Sequence, residues 1–238
     1  MGAVASAGPD VAGSCPQCPQ LKADLPEENE QKSLYSSSTR RKYSGGNMDT
    51  ATLIMAAAPG LKSVASGVRV DQLAGPTPCA EFNVKELSNH IAGFWGMTAL
   101  VASKQSLQGF DHEADVVGDS PASVIPGLVD GGAAAWQEAG STEGKTLFGS
   151  SEMDAAMVAK ITLFEEVVHG WDLAVATGQI LDVPSEVADA VLEVARMLCQ
   201  DSQRGEGKSF GYEVTVSESA SALEKALALT GRDPNWSA

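Results

Sequence analysis

The segment FEEVVHGWDLAVATGQ, Phe164 to Gln179, sets a carboxylate and an imidazole four residues apart, Glu165 and His169, within a run of helical period. That spacing stacks the two side chains about one turn apart on a single helix face. The sequence has two other histidines, His90 and His112, and His90 lies in a second patterned stretch, NVKELSNHIAGFWGMTALVAS. If those two helices pack side by side, His90, Glu165 and His169 can converge on one point. Two imidazoles and one carboxylate with a fourth position open form the ligand set of a catalytic zinc ion, whereas structural zinc is usually closed by four cysteine-rich ligands. Taken alone, the Glu–His pair also reads as an ordinary helix pair worth roughly 0.2–0.5 kcal/mol. Its neighbours Val158, Ile161, Phe164, Val168, Leu173 and Val175 make the helix apolar around much of its circumference, and a carboxylate buried there needs a cation.

The elements that must position these residues are helical. The first helix is expected from about Ala51 to Val68, interrupted near Pro59 and Gly60. Asn83 followed three residues later by Glu86 is a capping-box pattern, with Phe82 and Leu87 as the matching staple, and opens a second helix that runs to about Lys104. Residues 105–119 form an acidic loop that holds His112 at the surface, outside the site. Ser120 and Pro121 open a third helix to about Glu138. Ser151 and Asp154 start the long fourth helix, which Gly178 ends. Pro184 opens a fifth helix to about Gln200, followed by an extended segment and a short helix from Ser219 to Thr230 that stops at Gly231. Four long helices match an all-α, antiparallel four-helix bundle with a short C-terminal extension. Trp95, Trp136, Trp171 and Trp236 read as core or rim packing ahead of a pocket lining, and Arg232 and Asp233 as a fixture of the C-terminal turn ahead of a ligand contact.

Composition bounds the function. The chain has 238 residues and a formal charge of −15. Within residues 1–47, Lys22, Lys32, Arg40, Arg41 and Lys42 balance Asp10, Asp24, Glu27, Glu28 and Glu30, so the negative charge belongs to residues 48–238. A domain this acidic, without a basic stripe, is not expected to bind nucleic acid. Residues 1–47 have few large apolar residues and no sustained periodicity and read as disordered or as an upstream extension, leaving 48–238 as one domain. Met1, Gly2 and Ser6 meet the minimal myristoylation pattern, which a small-residue tail also meets. With no stretch of 18 apolar residues, a soluble, cytoplasmic protein without membrane contact is expected. Cys15 and Cys18 form a lone CPQC without a second pair, and Cys79 and Cys199 read as ordinary buried thiols in a reducing compartment. Glycine fingerprints of nucleotide sites and the GxSxG and HExxH motifs are missing from the sequence.

Three segments in order, TPCAEFNVKELSNHIAG, EEVVHGWDLAVATGQ and ALALTGRDPNW, resemble the metal-binding group of the DinB-like superfamily related to mycothiol-dependent maleylpyruvate isomerase. The resemblance spans about Ala51 to Trp236. It implies one metal ligand from the second helix, His90, and two from a later one, Glu165 and His169. Glu166 competes for the carboxylate role, but a step of three sets it about 60° round the helix from His169, against about 40° for a step of four. Asp172, three residues after His169, is the candidate that orients the histidine from behind. The resemblance also implies a divalent metal, zinc first and nickel second, and mycothiol or another low-molecular-weight thiol as cofactor. The partners expected are that thiol and an electrophilic substrate, and a homodimer is allowed for. A metal-bound thiol loses its proton near neutral pH and becomes the nucleophile of S-transfer or thiol-assisted isomerisation. The alternative is a non-catalytic module that binds metal or a small molecule. The chain stops after GRDPNWSA, short of the additional C-terminal domain of the isomerase, so S-transfer and isomerisation both stay open.

Overall fold

The computed structural model describes residues 48–112 and 114–238, and the fold it shows is all-α. The CPQC pair, the myristoylation pattern and the whole of 1–47 lie outside the described residues. The helices are α1 (Thr50–Ser66), α2 (Val84–Ala102), α3 (Pro121–Gln137), α4 (Ala155–Ala176), α5 (Ser185–Leu198) and α6 (Ala222–Leu229). A small hairpin of β1 (Lys145–Phe148) and β2 (Ser151–Asp154) precedes α4. Both α1 and α2 pack against α3 and against α4, so four helices enclose one core, while α5 and α6 pack on each other beside it. Among the described residues, no helix is long and apolar enough to cross a membrane.

Local chemistry sets the starts of the helices. Asp49 caps α1 by accepting from the Thr52 N–H at 2.9 Å. The capping box expected at α2 is present: Asn83 accepts from the Glu86 N–H at 3.0 Å, and Glu86 accepts from the Asn83 N–H at 2.8 Å. The expected interruption of α1 does not occur, and the helix runs through Pro59. The proline is exposed, and the carbonyl deprived of its partner belongs to Met55, 41% exposed, where water can serve it. The next residue, Gly60, is buried against the chain leading into α5, where a Cβ would strike the Asp182 carbonyl.

The start expected for the fourth helix needs correction. Ser151 to Asp154 form β2, paired antiparallel with β1 from Lys145↔Asp154 to Phe148↔Ser151, and α4 begins at Ala155 without a side-chain cap. The hairpin wins because Thr146 and Phe148 alternate inward, Thr146 donating to the Val101 carbonyl at 2.8 Å and Phe148 meeting Phe94 edge to face. From Ala155 onward α4 is buried on nearly all sides, the environment the apolar run around Glu165 predicts. Near the C-terminus, residues 211–214 run extended beside α6, with the Val214 N–H donating to the Ala228 carbonyl. Gly231, at φ 88°, closes α6 with paired bonds from its own N–H to Ala228 and from the Arg232 N–H to Leu227. This left-handed stop sends the Arg232 side chain back into the protein, where it is 2% exposed.

Candidate metal centre

Helix α2 carries His90 and helix α4 carries Glu165 and His169 to a common point. Each offers one ligand atom, and the three atoms lie within 4.8 Å of one another. Glu165 Oε2 is 3.1 Å from His169 Nε2 and 3.7 Å from His90 Nε2, and the two imidazoles meet nearly edge to face. Glu165 and His169 are buried, whereas the His90 side chain is 22% exposed and marks the side from which a ligand can arrive. Phe82 packs against the outer face of His90.

Behind His169 stands a second layer. Asp172 Oδ2 lies 3.0 Å from His169 Nδ1, which assigns the ring proton to Nδ1 and turns Nε2 toward Glu165. Asp172 is fully buried and is held by Arg232 through two bonds of 2.7 Å, one to each carboxylate oxygen. Cys79, also fully buried, reaches Asp172 at 3.8 Å and accepts from Arg232 at 3.4 Å. Cys79, His169 and Asp172 also bring ligand atoms within 4.8 Å of one another. The guanidinium already supplies the positive charge on that side, so a metal ion there would meet Arg232 directly. Among the described residues, no guanidinium or ammonium is bonded to the set of His90, Glu165 and His169.

A divalent metal fits that set on three observations. His90 Nε2 and Glu165 Oε1 are buried and have no hydrogen-bond partner among the described residues. With its proton on Nδ1, a neutral His169 would point the Nε2 lone pair at a carboxylate oxygen 3.1 Å away, an arrangement that calls for a cation between them. The donors are two imidazole nitrogens and one carboxylate oxygen, which suits zinc and nickel among others.

Without metal, a proton takes the same place. Burial works against a charged His169, but the carboxylate of Glu165, helped by Asp172 and Cys79, overrides it and holds the imidazole well above its ordinary range. Burial likewise works against an ionised Glu165, and His169 and His90 override it and bring that carboxyl down to about 2. Binding a metal must therefore expel a proton that His169 keeps at neutral pH. Affinity is expected to go on rising above pH 6.5, by about tenfold per pH unit for each proton displaced, instead of levelling off at the ordinary imidazole value. Competition titrations of zinc against a chelator between pH 6.5 and 8.5 measure this. A flat profile across that range contradicts the proton assignment.

Glu166, the rival carboxylate, stays outside the converging trio although it lines the same cavity. It is 2% exposed, neither oxygen has a hydrogen-bond partner, and burial pushes its carboxyl well above the usual range. It lines a small cavity with an open mouth, together with His90, Glu165, His169, Leu61, Ile91, Phe94 and Trp95.

A family model described as the mycothiol maleylpyruvate isomerase N-terminal domain matches residues 54–174. The chain belongs to that family. The mycothiol maleylpyruvate isomerase N-terminal domain family has the DinB-like helical fold, in agreement with the all-α architecture. The match takes in His90, Glu165, Glu166, His169 and Asp172, whereas Arg232 comes from outside it. Two similar proteins are from Mycobacterium tuberculosis, one from strain CDC 1551 / Oshkosh and one from strain H37Rv, and both are described as uncharacterized. Each is 30% identical over 184 residues, which is 70% of this chain and 88% of its own length. No solved structure matches the chain significantly.

Within this family member, the structure groups four of the residues singled out in the sequence, His90, Glu165, His169 and Asp172, and leaves His112 exposed and away from them. Two others belong to the same network and were read differently. Arg232 is not a mere fixture of its turn, and Cys79 is more than a buried filler. Their signals in the sequence were a Gly231 stop just before the arginine and a proline just before the cysteine, neither of which names a partner on a distant helix.

Proposed function

We propose that this protein is a metal-dependent, thiol-using enzyme in which His90, Glu165 and His169 hold a divalent metal, zinc or nickel. The observation that carries the reading is the trio of converging donors with orphaned buried atoms, open on the His90 side. A metal bound there would lower the pKa of an incoming low-molecular-weight thiol, mycothiol being the thiol the family description names, and so supply a thiolate near neutral pH. Asp172 fixes the tautomer and orientation of His169, and Arg232 fixes Asp172. The apolar wall of Ile91, Phe94 and Trp95 excludes bulk water from the cavity. His90, at the mouth, is the residue an electrophilic substrate passes as it approaches the sulfur. In S-transfer the sulfur would bond to the electrophilic carbon as the leaving group departs with its electron pair. In thiol-assisted isomerisation it would add to a conjugated double bond, the electron pair moving onto the conjugated oxygen, and the C–S bond would break again after rotation. In both the thiol proton goes to solvent. A thiol cosubstrate belongs to a reducing compartment, so a cytoplasmic setting is part of the proposal.

The test uses cobalt(II)-loaded protein. Addition of a low-molecular-weight thiol is expected to produce a sulfur-to-cobalt charge-transfer band. Conjugation of that thiol to 1-chloro-2,4-dinitrobenzene is expected to fall to the uncatalysed rate when the metal is stripped. Metal binding without metal-dependent turnover supports the non-catalytic binding module instead, and failure to bind any metal reduces the cluster to a buried polar network.

A further inference from the structure

Glu166 is the buried titratable group that the proposed chemistry leaves unused. The residue is 2% exposed, neither of its oxygens has a hydrogen-bond partner among the described residues, and it borders the same cavity as His90, Glu165 and His169. A polar group taken out of water without a partner carries a penalty that a fold does not keep for packing alone, since an apolar side chain would fill the same space. Among the described residues, none that borders the cavity donates to those oxygens, Trp95 with its indole N–H included. A donor must come from the occupant.

We infer that Glu166 is a specificity-determining residue that accepts a hydrogen bond from the cavity's ligand, a small thiol bearing a hydroxyl or amino group on the second carbon from sulfur. The inference rests on the metal–thiol reading above. The spacer follows from helix geometry. Glu166 lies three residues before His169, so their Cβ atoms are neighbours about 5–6 Å apart, and a ligand whose sulfur sits beside His169 reaches the Glu166 oxygens with a two-carbon arm. Recognition needs only an acceptor oxygen, which a carboxyl offers in either protonation state. A thiol without the donor leaves that acceptor buried and unpaired, so discrimination arises from the orphan left behind as much as from the bond formed.

The experiment titrates cobalt(II)-loaded protein with 2-mercaptoethanol, cysteamine and ethanethiol at one pH, following the sulfur-to-cobalt band. Wild type, Glu166→Leu and Glu166→Gln are compared, and each affinity is divided by that for ethanethiol in the same protein. Taking wild type against variant cancels the intrinsic acidities of the thiols. Glu166→Leu is expected to lose about tenfold or more of the relative affinity for 2-mercaptoethanol and cysteamine, and Glu166→Gln, which keeps a carbonyl acceptor, to retain most of it. A rise in melting temperature for Glu166→Leu with an unchanged cobalt spectrum shows that the variant is folded and loaded. If Glu166→Leu keeps the wild-type ratios, the inference is overturned while the metal–thiol reading stands. If the wild type gives no cobalt spectrum or no sulfur band with any thiol, that reading fails and takes the inference with it.

Discussion

His169→Ala is expected to strip the protein of metal. Zinc held by four protein ligands is worth about 10–16 kcal/mol, so one ligand accounts for roughly 3 kcal/mol, a loss of at least about 100-fold in affinity. The damage extends further than the lost bond. His169 stands between Glu165 at 3.1 Å and Asp172 at 3.0 Å, so its removal withdraws the shared partner of two buried carboxylates. His90→Ala removes a ligand of the same kind from a side chain that is 22% exposed and is 3.7 Å from Glu165. Both variants are expected to lose the metal, but only His169→Ala should also lower the thermal stability of the chelator-treated protein substantially. Elemental analysis of protein purified without chelator, with zinc competition titrations and melting curves, reads both effects. Metal retained at wild-type stoichiometry in both variants would sink the assignment of the centre.

That contrast between two histidines shows what the sequence could and could not disclose. Glu165 and His169 are legible as a unit because a helix converts a spacing of four into a shared face, and Asn83 with Glu86 fixes the start of the helix that brings His90. These are local rules, and the structure keeps them. Ser151 to Asp154 were misread for an equally local reason: serine and aspartate ahead of an apolar run resemble a helix start, and only the distant contacts of Thr146 with Val101 and Phe148 with Phe94 favour a strand. Pro59 and Gly60 resembled a break because propensity ignores which side of the helix faces water. Arg232 and Cys79 lie 153 residues apart, and neither shares a periodic pattern with Asp172. Their meeting is a property of the packed core, to which a single sequence gives no pointer. Glu166 was legible as a titratable neighbour of the site, but its lack of any partner is visible only when the surrounding helices are in place.

Arg232→Met is expected to destabilise the fold by about 3–5 kcal/mol, the usual consequence of removing one partner from a buried ion pair and leaving the other charge uncompensated. Asp172 is fully buried and both of its oxygens are committed to the guanidinium, so no solvent is at hand to replace it. Lysine cannot substitute, because its single ammonium cannot span both oxygens at once, and Arg232→Lys should recover only part of the loss. The same change reaches the metal through one intermediary. Asp172 orients His169 by holding Nδ1, and a carboxylate freed from Arg232 no longer fixes that ring, so zinc affinity is expected to fall about 10–100-fold. Stability and metal affinity can be separated by the double variant Asp172→Leu with Arg232→Met. Replacing both members of a buried pair with apolar groups is often neutral or stabilising, so the double variant should regain most of the lost stability, while its zinc affinity stays low because nothing holds Nδ1. A double variant that recovers both would make the pair a purely structural staple. One that recovers stability alone would separate Asp172's hold on Nδ1 from the pair's structural role, and the loss of about 10–100-fold in Arg232→Met alone is the result that would tie the C-terminal segment, which lies outside the family-matched region, to the metal centre.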